Sequence, residues 1–231
     1  MKIVLLPGLD GTGVLFKLFV ERLPPELSPV VVSYPPDREL GYAELLESVL
    51  AKLPRGEPFV LLGESFSGPV ALMVAATCPP GLKALVLCAT FIQNPTWVRM
   101  RWLRWFVRPV AFRFYPVFSA VKALIGGYSS PQLRALMRDA IGRVHPEVFA
   151  HRVRAVLAVN ATVELTACQV PILYLRGSRD LVVPAHNVRE IQRARADVRV
   201  TTLPAPHMVL QTQPAAAGRA ILDFLRSTAA L

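Results

Sequence analysis

Gly63-Glu64-Ser65-Phe66-Ser67-Gly68 follows the apolar run Phe59-Val60-Leu61-Leu62 and leads into a helical pattern. A serine at a sharp strand-to-helix turn carries its hydroxyl clear of the sheet edge, beside a helix N-terminus. Such a turn brings strand and helix close together, which suits the small residues Gly63, Ser67 and Gly68. The chemistry open to this serine is attack on an acyl carbon. A hydroxyl is a weak nucleophile, so that chemistry requires a base, and the base requires an orienting acid. A plainer role uses the same residues: Ser65 or Ser67 is a good N-cap for the helix that follows.

Four histidines are available as the base: His145, His151, His186 and His207. His207 stands four residues beyond the last β-branched run, in Leu203-Pro204-Ala205-Pro206-His207-Met208. That is the carboxyl end of a strand, the edge where open α/β sheets do their chemistry. His145 and His151 fall in a helical segment and read as surface residues, with a pocket as the alternative. His186 opens a helix and reads as a surface or capping residue. Asp180, in the loop after the run from Val170 to Leu175, is the acid that would hold the imidazole in one tautomer. Capping the helix near Pro184, or pairing with Arg179, is its plainer role. Asp197 precedes the last strand, at the opposite edge, and Asp223 sits inside the closing helix. The order Ser65, Asp180, His207 is one that recurs in strand–turn–helix serine enzymes.

Charge building on a carbonyl oxygen needs fixed N–H donors. The N–H of Phe66, next to the serine, is one. Leu9, in the loop Leu6-Pro7-Gly8-Leu9-Asp10-Gly11-Thr12-Gly13, is the other. Asp10 either braces that loop or meets substrate. A phosphate-binding loop competes for the same glycines, but their spacing is not GxGxxG and no Gly-Lys-Ser/Thr follows. No cysteine or histidine cluster has metal-ligand spacing, so neither a metal nor a cofactor is expected.

The elements that must position these residues follow from periodicity. Short β-branched runs at 2–6, 30–33, 59–62, 84–88, 170–175 and 198–203 alternate with helical patterns at 15–22, 42–53, 67–77, 185–195 and 214–225. That alternation predicts an α/β fold with one mostly parallel sheet of about six strands. Residues 1–89 and 170–231 form this core. Residues 90–169 lack strand runs and are too long for a loop, so a helical insertion is expected there.

The chain has 231 residues, 53% hydrophobic and 18% charged, which excludes disorder. Its net charge is +10, and residues 90–169 hold eleven Lys and Arg against three Asp and Glu. Such asymmetry suits an anionic partner or a solvated basic face. No nucleic-acid motif accompanies it. Cys78, Cys88 and Cys168 form no disulfide framework, and Cys78 and Cys88 read as core residues, which suits a reducing, cytoplasmic compartment. The apolar start reads as a buried strand rather than a signal peptide, and no window convinces as a transmembrane helix.

Together these residues resemble the α/β-hydrolase superfamily, and the Pro7-Gly8-Leu9-Asp10-Gly11 stretch is similar to that of small bacterial esterase-like members. Departures are Pro7 where a histidine is common, Ser67 where glycine is common, and no antiparallel strands before Lys2. The resemblance implies a helical cap over the site at 90–169 and an ester substrate with a hydrophobic acyl group. Methyl esterases acting on acyl-carrier conjugates share this plan. At helical spacing across 97–108, Arg101, Arg104 and Arg108 share one face, while Val98, Trp102, Trp105 and Phe106 lie largely on another. Trp102 and Phe106 are candidate substrate contacts. The basic face suits an acidic acyl-carrier protein, an anionic membrane surface with the enzyme peripheral to it, or only solvent. Acyl transfer, lysophospholipase-type lipid hydrolysis and ligand binding without catalysis remain compatible with the same residues.

Overall fold

Side chains of a β-strand alternate between two faces, and in this chain both faces are apolar, as a parallel sheet between two helical layers requires. The computed structural model describes residues 1–96, 101–110, 124–228 and 230, with the side chains at 101, 103 and 104 also outside the description. Strands β1 (Lys2–Leu6), β2 (Ser28–Val31), β3 (Phe59–Glu64), β4 (Leu82–Cys88), β5 (Ile172–Gly177) and β6 (Arg199–Leu203) form one sheet in the order β2-β1-β3-β4-β5-β6. Every neighbouring pair is parallel.

Val4, Leu6, Leu61, Leu87 and Tyr174 point to one face. There they meet Leu45 and Val49 of α2 (Tyr42–Leu50), α3 (Gly68–Ala76), and residues of α6 (Thr162–Ala167) and α7 (His186–Ala194). Ile3, Leu5, Val60, Leu62 and Leu175 point to the other face. They pack on α1 (Lys17–Val20), α8 (Val209–Thr212) and α9 (Pro214–Ser227). Each such buried side chain contributes roughly 1.5–3 kcal/mol, so the sheet is a stiff platform for the loops at its edge.

The strand order reverses between β1 and β3, because the chain leaves β1 towards β2 and returns to β3 on the other side. At such a switch point the loops after the two strands diverge and open a crevice at the carboxyl edge. The loop after β1 and the serine turn after β3 flank that crevice. The loops after β5 and β6 reach the same edge.

Between β4 and β5 the described regular elements are a 3₁₀ turn (Arg101–Phe106), α4 (Pro131–Gly142), α5 (Pro146–Ala158) and α6. The helix expected over 97–108 is replaced, where described, by this shorter 3₁₀ turn; Trp97, Val98, Arg99 and Met100 lie outside the described residues. Pro109 disfavours helical geometry at the residue before it, which ends the turn. The pattern at 15–22 likewise resolves into a 3₁₀ turn (Val14–Phe16) running into the short α1. Cys78 corrects its expected burial. It is exposed, at φ 51°, in the turn that ends α3. Cys88 and Cys168 are buried. Among the described residues no helix is long and apolar enough to cross a membrane.

The loops after β5 and β6 are zipped together: Ser178 N donates to Leu203 O at 2.8 Å and Arg179 N to Ala205 O at 3.0 Å. Gly177 permits this approach, since an added Cβ would lie 2.2 Å from Pro206 O and 2.4 Å from Ala205 O. Gly177→Ala is therefore predicted to cost about 2–3 kcal/mol through backbone overpacking, read as a lower urea midpoint at unchanged m-value.

Candidate active site

Strand β3 ends at Glu64, and the next residue turns at once into a 3₁₀ turn (Ser65–Ser67) that continues as α3. Ser65 sits at φ 50°, a left-handed conformation that side chains other than glycine rarely adopt. Neither serine caps the helix: Ser67 stands at the N-cap of α3 without a side-chain capping bond. Gly63 and Gly68 must both be small, because a Cβ on Gly63 would lie 2.6 Å from Ser67 O and one on Gly68 2.0 Å from Thr90 Oγ1.

His207 Nε2 lies 2.9 Å from Ser65 Oγ, and His207 Nδ1 lies 2.9 Å from Asp180 Oδ2. The other carboxylate oxygen of Asp180 accepts from Val182 N at 2.8 Å and Val183 N at 2.9 Å. Both oxygens therefore act as acceptors, Nδ1–H donates to Asp180, and Nε2 is left to accept the serine proton. The side chains of Asp180 and His207 are 3% and 6% exposed, so the pair works away from bulk water. Residues from the exits of three strands thus meet in one hydrogen-bonded chain. Such a chain can activate a hydroxyl and return the proton to a leaving group.

Phe66 N–H lies in the first helical turn, where amides have no intrahelical partner. The Phe66 ring is buried and stacks on Tyr42 at 5.0 Å, while Tyr42 Oη donates to Phe66 O at 3.2 Å. Leu9 lies in the β1 loop, and Gly8 in that loop approaches Ser65: a Cβ on Gly8 would be 4.0 Å from Ser65 Cβ. Asp10 braces the loop, its Oδ2 accepting from Thr12 N at 2.8 Å and from Thr12 Oγ1 at 2.5 Å. Trp102 and Phe106 stand 52% and 70% exposed, their rings edge-to-face at 5.6 Å. No described hydrogen bond or ring contact joins either to Ser65, Asp180 or His207.

Two other histidines bond elsewhere. His145 precedes α5, its N–H donating to Pro36 O, and His151 Nδ1 lies 3.2 Å from Glu39 Oε2. His186 is the first residue of α7. Asp197 pairs with Arg195 at the surface, and Asp223 is exposed on α9.

Other side chains contribute in ways that the sequence reading did not assign. Thr90 Oγ1 donates to Ser65 O at 2.5 Å. Ser67 Oγ donates to Pro7 O and accepts from Tyr34 Oη, linking the serine turn to the β1 loop. Arg152 of α5 donates to carbonyls of the same loop. Glu64, directly before the serine, is buried and accepts from Gln211 Nε2 at 2.9 Å. The one sequence signal among these is Ser67, a hydroxyl where glycine is usual.

A model of the Alpha/beta hydrolase family matches residues 3–220. The chain belongs to that family. Solved structures share its fold at low identity. An enol-lactonase from Burkholderia xenovorans LB400 matches with a TM-score of 0.79 at 21% identity, over 97% of this chain and 91% of its own. A thermophilic esterase from Thermogutta terrifontis gives 0.82 at 21% identity, over 99% and 90%. MenH from S. aureus gives 0.80 at 16% identity, over 99% and 94%. No curated protein matches this alpha/beta hydrolase family member.

Burial pushes the Glu64 carboxyl of this hydrolase-family chain up from 4.5 to about 7, while the Gln211 bond and the nearby His207 pull it down. Between those values the folded chain holds a proton that the unfolded chain releases. Raising the pH through that window therefore removes stability, by at most about 3 kcal/mol. Glu64→Gln keeps an acceptor for Gln211 and has no proton to lose. Urea unfolding at pH 5 and pH 8 should show the wild type losing stability over this interval and Glu64→Gln losing much less.

Proposed function

We propose that this protein is a serine hydrolase acting on carboxylic esters with a hydrophobic acyl group. The observation that carries the reading is the continuous chain Ser65 Oγ–His207 Nε2 and His207 Nδ1–Asp180 Oδ2, both at 2.9 Å. Family membership over residues 3–220 supports it. An esterase and an enol-lactonase among structures of the same fold support acyl chemistry.

In this mechanism Ser65 Oγ bonds to the acyl carbon as its proton passes to His207 Nε2. Asp180 stabilises the imidazolium that forms. The N–H groups of Phe66 and Leu9 bind the oxyanion. The tetrahedral adduct collapses, and His207 gives its proton to the departing alkoxide, which leaves as an alcohol. Water, deprotonated by His207, then attacks the acyl-enzyme and releases the acid. Residues 90–169 act as a lid over the core of 1–89 and 170–231. The exposed rings of Trp102 and Phe106 on this segment fit an apolar acyl chain better than a charged one.

The test is turnover of short and medium p-nitrophenyl esters. Ser65→Ala is predicted to lower kcat by about 10⁴-fold or more, and Asp180→Asn by at least about 10³-fold, with melting temperatures close to wild type. Substantial turnover by folded Ser65→Ala contradicts the assignment.

A further inference from the structure

A loop that binds an oxyanion through an N–H must keep its own carbonyl oxygens out of the site, because each carries a partial negative charge. In the β1 loop five successive carbonyls have donors. Pro7 O accepts from Ser67 Oγ. Gly8 O accepts from Gly11 N at 3.0 Å and Gly11 O from Tyr34 N at 2.7 Å. Leu9 O and Asp10 O both accept from Arg152 Nη1, at 3.0 and 2.6 Å. The C=O and N–H of one trans peptide point in opposite directions, so holding Gly8 O on Gly11 aims the Leu9 N–H the other way. Among the described residues no acceptor is recorded for that N–H.

Three of these five ties come from the loop and core segments around it. Arg152 is different: it arrives on α5, from the insertion between β4 and β5. Its side chain is among the largest that are almost wholly buried, at 2% exposure. Arg152 Nη2 donates to Pro35 O at 3.0 Å, and the guanidinium lies 5.9 Å from the centre of the Tyr34 ring. The loop is shaped around it. Gly11 has φ +70°, and a Cβ there would lie 2.5 Å from Arg152 Nη1. A planar fork can hold several carbonyls at fixed angles, which an ammonium on a flexible stem does not do.

We propose that Arg152 is a positioning residue for acyl transfer, through which the insertion sets the geometry of the oxyanion-binding loop. This rests on the reading of Ser65 as nucleophile and of Leu9 N–H as an oxyanion donor. Its consequence is that the insertion supports the chemical step itself as well as covering substrate. Without the guanidinium, Leu9 O and Asp10 O lose their donor and the loop is free to rotate peptides toward the serine. Such a change weakens the transition state, where the oxyanion is charged, far more than the ground state.

The experiment compares Arg152→Lys and Arg152→Ala with wild type in p-nitrophenyl ester hydrolysis, with melting temperatures alongside and Ser65→Ala as reference. Arg152→Lys should lower kcat about tenfold and Arg152→Ala about 100-fold, each with KM within about twofold of wild type. Millimolar guanidinium ion should restore part of the lost kcat to Arg152→Ala and none to Ser65→Ala. If the alanine variant does not fold, the lysine variant decides by its split between kcat and KM. A folded Arg152→Lys or Arg152→Ala with wild-type kcat, or with its loss confined to KM, overturns the proposal while leaving the nucleophile in place. Activity in Ser65→Ala overturns the reading beneath it.

Discussion

Ser65 is held in a backbone conformation that an L-residue adopts only at a cost of order 1–2 kcal/mol, and the site depends on the surroundings that keep it there. Before it, Glu64 is paired in the sheet with Cys88. After it, α3 is buried along nearly its whole length and does not yield. From the side, Thr90 Oγ1 holds Ser65 O. Thr90 is in turn held by Tyr174 of β5, whose hydroxyl donates to Thr90 O at 2.6 Å and accepts from Thr90 N at 3.1 Å. Burial keeps that phenol far above its ordinary titration range, so it stays a neutral donor. The exits of β3, β4 and β5 are thus locked to one another, and the serine hydroxyl projects from the lock.

The same edge concentrates carboxylates and manages them differently. Asp180 has both oxygens occupied by donors and serves the imidazole. Asp10 is folded back on Thr12. Glu64 is buried behind the serine with a single amide donor, and burial raises its proton affinity. In the proposed mechanism a neutral Glu64 spares the oxyanion a second negative neighbour, whereas an ionised one would oppose it. Arg152 contributes the opposite charge from the insertion side, spread over a planar group and bonded to backbone oxygens. Charge around Ser65 is therefore set by burial and hydrogen bonding together.

The parallel sheet was legible because β-branched runs alternated with helical patterns, and six strands follow from that rhythm. Ser65, Asp180 and His207 were legible because each stands just beyond a strand, in an order that recurs for this chemistry, and the fold brings them within hydrogen-bond distance. Arg152 was not. It is one of eleven Lys and Arg in residues 90–169, and its partners lie more than 110 residues away on backbone carbonyls, which leave no trace in residue types. Ser67 reads in the sequence as a small residue or an N-cap, although its hydroxyl joins two loops. Cys78 misled because its neighbours are apolar, yet it falls in the turn after α3 rather than within it. Within the segment at 97–108, the described stretch Arg101–Phe106 carries a helical spacing that a 3₁₀ turn also tolerates over so few residues.

The claim on which all of this converges is that the acyl group passes through the oxygen of Ser65. Acid quenching during the first turnovers with a p-nitrophenyl ester, followed by peptide mass spectrometry, tests it directly. The account predicts a peptide containing Ser65 that is heavier by the acyl group less one hydrogen, with fragment ions assigning the addition to Ser65. Product release with the acyl mass absent from that peptide and present on another residue would contradict it.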